Sequence, residues 1–282
     1  MDRPNISLCL IVRNELKNLK KNLSPLLKEF PEVIVVDTGS TNGTGEYLYT
    51  LPKHVRVINF TWIDDFSAAR NQYIKAASCE WIYWTDADEY LDPTYVSILK
   101  DCSKKGKDTA WAYKFGPWMS FSHIKLFPNI PGIHYIMRCH EQIRPSLIKA
   151  GVTKILFFPD PFKITNPSYH RIPDKSVRRN IKLLKLDIEE KPEYLMSYVY
   201  LANSYCHLAE YDNAIEIIEK CLSQKLHQPT SEDLNAQRCA VHAKQLITLQ
   251  KRLHEKAERG ENLTREELDT LVRLTQQDPY RG

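Results

Sequence analysis

Two apolar runs constrain this chain more than any other feature: Ile6-Ser-Leu-Cys-Leu-Ile-Val12 and Val33-Ile-Val-Val36. Runs without regular polar alternation belong to strands covered on both faces, the situation of a parallel sheet. Between them Leu16, Leu19, Leu23 and Leu26 recur at three- and four-residue spacing, with lysines in the gaps, as on an amphipathic helix. Strand, helix and strand in that order predict a parallel pair. Residues 55–60 read as a third strand and 66–78 as a second helix, with Ala68, Ala69, Tyr73 and Ala76 on its apolar side. Trp81-Ile-Tyr-Trp84, aromatic and β-branched, reads as a fourth strand that stops at Thr85-Asp-Ala-Asp-Glu89. The alternation predicts an open α/β sheet whose ligand crevice lies at the carboxyl ends of its strands.

Asp92-Pro93, an N-cap followed by proline at the first helical position, restarts a helix. From 108 to 167 the pattern is irregular and rich in aromatics and prolines, with short β-like pieces at 111–115 and 155–158. Mixed strands and loops closing over the sheet's active edge are expected there. After Pro173 the character turns helical, beginning with Val177, Ile181, Leu184 and Ile188 on one face, which puts a boundary near 172. Tyr198, Leu201, Ala202, Tyr205, Ala214, Ile218 and Cys221 fall at the spacings of a tetratricopeptide (TPR) unit, whose small residues let two helices approach closely. The expected division is a first domain over 1–172 and a helical domain over 173–282, with one clear TPR unit at about 195–228. Thr230 with Asp233, and Thr264 with Glu267, read as N-caps of two further helices, the second as a capping box. Because a lone repeat cannot bury its face, the tail is expected to pack on the first domain or on a partner.

The composition, 43% hydrophobic and 26% charged over 282 residues, excludes disordered, collagen-like and low-complexity chains. Up to Arg171 there are 22 basic against 17 acidic residues, so the net charge of +4 arises wholly in the first part. That mild excess favours an anionic ligand and is too small to argue for a nucleic-acid surface. The seven cysteines are odd in number, widely spaced and never C-x-x-C, which fits neither a disulfide framework nor a zinc site and suits a reducing cytoplasm. The run from Ile6 to Val12 is too short for a signal segment or a membrane span, so no transmembrane segment is expected.

Asp86-Ala-Asp88-Glu89 puts three carboxylates in four residues directly after an aromatic strand. Such density costs repulsion unless something positive sits there. Oxygen ligands on a turn suit Mg2+ or Mn2+, ions that share their coordination sphere with substrate phosphates, so a nucleotide diphosphate is the natural partner. A turn whose carboxylates simply face water is the alternative. Asp37 ends a neighbouring strand and leads into Thr38-Gly-Ser-Thr-Asn-Gly-Thr-Gly45, so acidic groups from two strand ends meet one crevice. That loop is neither G-x-G-x-x-G nor G-x-x-x-x-G-K-[ST], and Gly43 and Gly45 read as residues of a tight strand-to-helix turn.

Four ordered blocks carry a family resemblance: Ser7-Leu-Cys-Leu-Ile-Val-Arg-Asn-Glu15, Val33-Ile-Val-Val-Asp-Thr-Gly-Ser-Thr-Asn-Gly-Thr44, Phe66-Ser-Ala-Ala-Arg-Asn71 and Trp81-Ile-Tyr-Trp-Thr-Asp-Ala-Asp-Glu89. Together they resemble the family 2 glycosyltransferases of GT-A fold, especially the subgroup with TPR repeats behind the transferase domain. The resemblance implies a Rossmann-like, mostly parallel sheet that binds a nucleotide-sugar donor, with UDP as the expected nucleotide. It makes Asp37 the acid at the base or ribose and Arg70 the arginine beside the nucleotide. Asp86 and Asp88 are similar to the D-x-D pair, Asp86 facing the ribose or sugar and Asp88 the divalent metal, Mn2+ or Mg2+. Asn14 and Glu15 would line the same nucleotide pocket. Inverting transfer needs a carboxylate to take the acceptor's proton. Glu141 in Cys139-His-Glu-Gln142 resembles the subgroup's His-Glu pair and is the candidate base, although many members carry Glu-Asp there. His170, in Pro167-Ser-Tyr-His-Arg171, falls where related enzymes place a further metal ligand. Trp111, Trp118 and Phe121 are candidates to stack on a sugar or to fill the core.

The residues leave the acceptor open among a peptide or protein, a glycan and a modified nucleobase of DNA. They give the tail two roles, contact with the acceptor or oligomerisation. A TPR-type peptide-binding adaptor on an inactive transferase fold is the competing reading, and a nucleotidyltransferase using the same acidic edge is a third.

Overall fold

The structure is a computed structural model that describes residues 5–114, 122–166, 173–224 and 231–276. The chain divides into two compact units, Met1–Met137 with Glu141–Arg171, and Arg138–His140 with Ile172–Gly282.

In the first unit β1 (Ile6–Val12) leads through a helical stretch to β2 (Glu32–Asp37), and a short α2 (Thr44–Leu48) leads to β3 (Val55–Asn59). The stretch after β1 is one turn of α1 (Leu16–Asn18), a π turn at Leu19–Leu23 and a 3-10 turn at Ser24–Leu26. Next come α3 (Phe66–Ala76), β4 (Trp81–Trp84), β5 (Tyr90–Leu91) and α4 (Val96–Ser103), the last preceded by a 3-10 turn that Asp92 caps through the Thr94 N–H at 2.9 Å. The unit ends with β6 (Thr109–Lys114), β7 (Ser122–Pro128), α5 (Arg144–Lys149), β8 (Lys154–Phe157) and β9 (Ile164–Thr165). Seven strands form one sheet in the order β3-β2-β1-β4-β7-β6-β8; β1 to β4 are parallel, β7 is antiparallel to both neighbours, and β8 is parallel to β6. This is the expected α/β sheet with a mixed outer half. Strands β5 and β9 pair separately.

Two-residue periodicity distributes the core. Leu8, Leu10, Val33, Val35, Trp81 and Tyr83 face the side packed by Leu19, Leu23 and Phe30, whereas Cys9, Ile34, Val36, Ile82 and Trp84 face the side packed by Tyr73 of α3. With each such side chain worth ~1.5–3 kcal/mol on burial, the central strands anchor the unit. Their carboxyl ends are fixed with them.

The second unit is helical: α6 (Asp174–Glu190), α7 (Leu195–His207), α8 (Tyr211–Leu222), α9 (Ser231–Glu258) and α10 (Arg265–Gln276). Val177 and Leu184 are buried on α6. All seven TPR-spaced residues are buried, with Ala202 and Ala214 at 0% exposure where α7 meets α8. The capping box before α10 forms as expected: the Thr264 N–H donates to Glu267 at 2.9 Å and the Glu267 N–H donates to Thr264 Oγ1 at 3.2 Å. Thr230 lies outside the described residues. No helix among the described residues is long and apolar enough to cross a membrane.

Candidate active site

The strand order reverses at β1: the chain runs outward to β2 and β3, then returns to place β4 on the other side. Crevices of open α/β sheets lie at such reversals, outside the carboxyl ends. Asn14 and Glu15 follow β1, Asp37 closes β2, and Asp86 and Asp88 follow β4.

The fold sorts the three adjacent carboxylates into three environments. Glu89 turns inward, where Lys125 Nζ donates to both of its oxygens at 2.8 and 2.7 Å, and both side chains are fully buried. Burial pushes the Glu89 carboxyl up, Lys125 opposes this, and the charge of Asp86 adds to the rise. Asp86 faces Arg70 Nη2 at 3.4 Å with its side chain 35% exposed. Burial works against its charge, but Arg70, then Lys125 and His123, hold the carboxyl below its ordinary range. Asp88 is half-buried and its side chain makes no hydrogen bond or ion pair with any described residue.

Arg70 is the hub of the opposite wall. It sits on α3, which begins where the Asp65 side chain caps the Ala68 N–H at 2.9 Å, and the helix turns Arg70 inward beside Tyr73. Its Nε lies 3.5 Å from Glu141 Oε1, and its guanidinium carbon stands 4.1 Å from the centre of the Trp84 ring, a cation–π contact. One buried cation thus joins Asp86 to Glu141. Glu141 stands in a loop closed by the paired backbones of Ile136 and Gln142, each N–H donating at 3.0 Å.

Asp37 is buried at the mouth of the next strand. Its Oδ1 accepts from the Gly39 N–H at 3.1 Å and from the Ser40 N–H and hydroxyl at 2.9 and 2.7 Å. Gly39, at φ +97°, supplies the left-handed turn that aims these donors back. Asn14, at φ +61°, braces the same loop: its N–H donates to Ser40 Oγ at 2.9 Å and its Oδ1 accepts from the Thr41 N–H at 2.7 Å. Asn14 therefore shapes the pocket wall through the loop. Glu15 is pushed up by burial and by the charges of Asp88 and Asp86, with the Asn18 amide opposing.

Among the described residues no group of three His, Cys, Asp or Glu side chains gathers as a metal cage. The donor set suits a hard divalent ion held by Asp88 together with phosphate oxygens of a bound nucleotide, with Asp86 and Glu15 adding negative charge nearby. His170, Trp118 and Phe121 lie outside the described residues. Trp111 is a core residue: it is 7% exposed, stacks on Phe158 at 6.0 Å, and its indole N–H donates to Cys102 O at 3.2 Å.

The sequence groups Glu89 with its two acidic neighbours, whereas the fold pairs it with Lys125. Three clustered carboxylates demand positive charge, and Lys125 in the run Ile124-Lys-Leu-Phe-Pro128 was the available signal.

The sheet order, with the solved structures it resembles, defines the class: a GT-A fold. Residues 7–115 match the family model for glycosyl transferase family 2. The SPbeta prophage-derived glycosyltransferase SunS of Bacillus subtilis is 41% identical over 233 residues, covering 79% of this chain and 54% of that protein. A TPR repeat-containing protein of Synechococcus elongatus is 32% identical over 158 residues, covering 51% of this chain and 36% of its own. The chain thus spans about a third to a half of the curated relatives it matches. Among solved structures, mannosyltransferase PcManGT from Pyrobaculum calidifontis with GDP-Man and Mn2+ superposes with a TM-score of 0.52 at 17% identity, covering 100% of this chain and 83% of that one. S. aureus TarS 1-349 with UDP-GlcNAc gives 0.51 at 14% identity, covering 92% and 93%.

Proposed function

We propose that this protein is a metal-dependent, inverting glycosyltransferase that moves a sugar from a nucleotide-sugar donor, a UDP-sugar, to an acceptor nucleophile. The observation that carries this reading is the sorting at the carboxyl edge: Asp86 and Glu141 share one buried arginine while Asp88 stands without a partner among the described residues. Asp37 takes the base or ribose, in a pocket whose wall is set by Asn14 and Glu15. Asp86 faces the ribose or sugar, and Arg70 keeps Asp86 and Glu141 in register. Asp88 would hold Mn2+ or Mg2+, with His170 as a further ligand, and such an ion would supply positive charge against that developing on the departing diphosphate. Glu141 accepts the acceptor's proton as its oxygen or sulfur attacks the anomeric carbon, leaving inverted configuration.

The domain division at 172, with the TPR unit at about 195–228, assigns transfer to the first part and acceptor contact or oligomerisation to the tail. The acceptor class is a peptide or protein, a glycan or a modified nucleobase. All seven cysteines are unpaired, which suits a reducing cytoplasm. Hydrolysis of a UDP-sugar tests the reading without knowledge of the acceptor. Glu141→Gln should keep UDP binding and lose turnover by about 10²–10⁴-fold, the usual worth of a general base. Full turnover in that variant would move the base elsewhere.

A further inference from the structure

Every residue of the Thr85–Glu89 turn except Asp88 is tied down, and the ties converge on one buried pair. Glu89 Oε2 accepts from Thr85 Oγ1 and from the Asp86 N–H, both at 3.0 Å, while the Glu89 N–H donates back to Asp86 O at 3.0 Å. The Ala87 carbonyl accepts from Asn22 Nδ2 at 2.9 Å. Lys125 sits opposite Trp84, one residue beyond the Tyr83–Leu126 register pair, and its Nζ lies 3.4 Å from the centre of the Trp84 ring. That indole is the one Arg70 also covers, and its N–H is fixed on Ile124 O at 2.6 Å.

A buried ion pair is a poor device for stability alone. Replacing such a pair with apolar groups of similar size is often neutral or stabilising, because both charges lose water. This pair does something an apolar substitute cannot, since one oxygen of Glu89 accepts from Thr85 and the Asp86 N–H together while both oxygens and their charge hold Lys125. We propose that Glu89 and Lys125 are positioning residues: the neutralised carboxylate locks the turn from below so that Asp88 is presented, unpartnered, to the crevice. Lys125 also links the turn through Trp84 to the Arg70 wall. The inference rests on Asp88 being the metal-side carboxylate.

The test is calorimetric titration of UDP, with and without Mn2+, into the parent and into the double variant Glu89→Leu/Lys125→Met, with thermal unfolding of each. A cooperative melt, UDP binding without metal within twofold, and a fall of at least tenfold in the Mn2+ enhancement are expected. A folded double variant with full Mn2+ enhancement overturns the proposal. Should the double variant not fold, Glu89→Gln decides, because the amide keeps the shape but gives up the charge and the second acceptor oxygen that hold Lys125 and with it the turn. A several-fold loss of enhancement there supports positioning, and none overturns it. If the parent itself shows no Mn2+ enhancement, the metal-side reading of Asp88 fails and takes this proposal with it, whatever the variants do.

Discussion

Replacing Arg70 with methionine removes the one cation that Asp86 and Glu141 share. At 3.4 and 3.5 Å each contact has a gross attraction of about 5 kcal/mol at an effective dielectric of about 20. Most of that is offset by the water lost on burial. Breaking a buried pair by deleting one partner costs ~3–5 kcal/mol, and the 35% exposure of the Asp86 side chain argues for the lower end. The variant should therefore lose about 3 kcal/mol near neutral pH, which for a domain of this size lowers the melting temperature by roughly 6–12 °C. The pH dependence carries the diagnosis. In the parent, Asp86 has its carboxyl held below the ordinary range, so its contribution is fully present above the unfolded value and is lost only as pH falls through the lower, folded one. Without Arg70 the largest opposition to burial is gone and the carboxyl rises, with Lys125 and His123 still opposing, so the contribution of Asp86 is lost at a higher pH than in the parent. The gap in melting temperature between parent and Arg70→Met should thus widen from acid pH, where Asp86 is protonated in both, to pH 7.5. A constant gap would refute the argument that Arg70 compensates these carboxylates. Arg70→Lys should keep the charge yet not reach both partners, restoring stability more than turnover.

Three further outcomes follow from the same geometry. Asp88→Ala should abolish Mn2+-enhanced UDP binding while melting within about 2 °C of the parent, as for a surface substitution that breaks no internal contact. Because Glu15 is raised by burial and by Asp88 and Asp86, a bound cation competes with its proton; apparent Mn2+ affinity should fall as pH drops from 7.5 towards 5, and Glu15→Gln should flatten that profile in a metal titration. Thr264→Ala opens the capping box of α10 and should cost ~1 kcal/mol in denaturant unfolding of the helical unit.

The four parallel strands were legible because burial on both faces leaves a pattern that depends on no partner. The helix between β1 and β2 was legible as helix and not in its detail. Pro25 lacks the N–H that an α-helix needs, and the chain passes through a π turn and a 3-10 turn. Strand β7 hid in the irregular stretch because its central residue is a buried lysine, and nothing local announces that Lys125 is neutralised by Glu89. At the site, Asp37, Asp86 and Asp88 are legible because each lies at or just after a strand end. That Glu89 points inward and Asp88 outward is decided by the hydrogen bonds of a five-residue turn, which adjacent acidic letters do not encode. Arg70 was placed beside the nucleotide by resemblance, whereas its bridge from Asp86 to Glu141 depends on loops distant in sequence.

The most direct measurement is calorimetric titration of UDP, GDP and dTDP into the full chain with and without Mn2+, alongside Asp88→Ala. The expected result is selective binding of UDP that Mn2+ strengthens in the parent and not in Asp88→Ala. Absence of binding by all three nucleotides with the metal present would contradict the account and leave the helical tail, as a peptide-binding adaptor, as the working part of the protein.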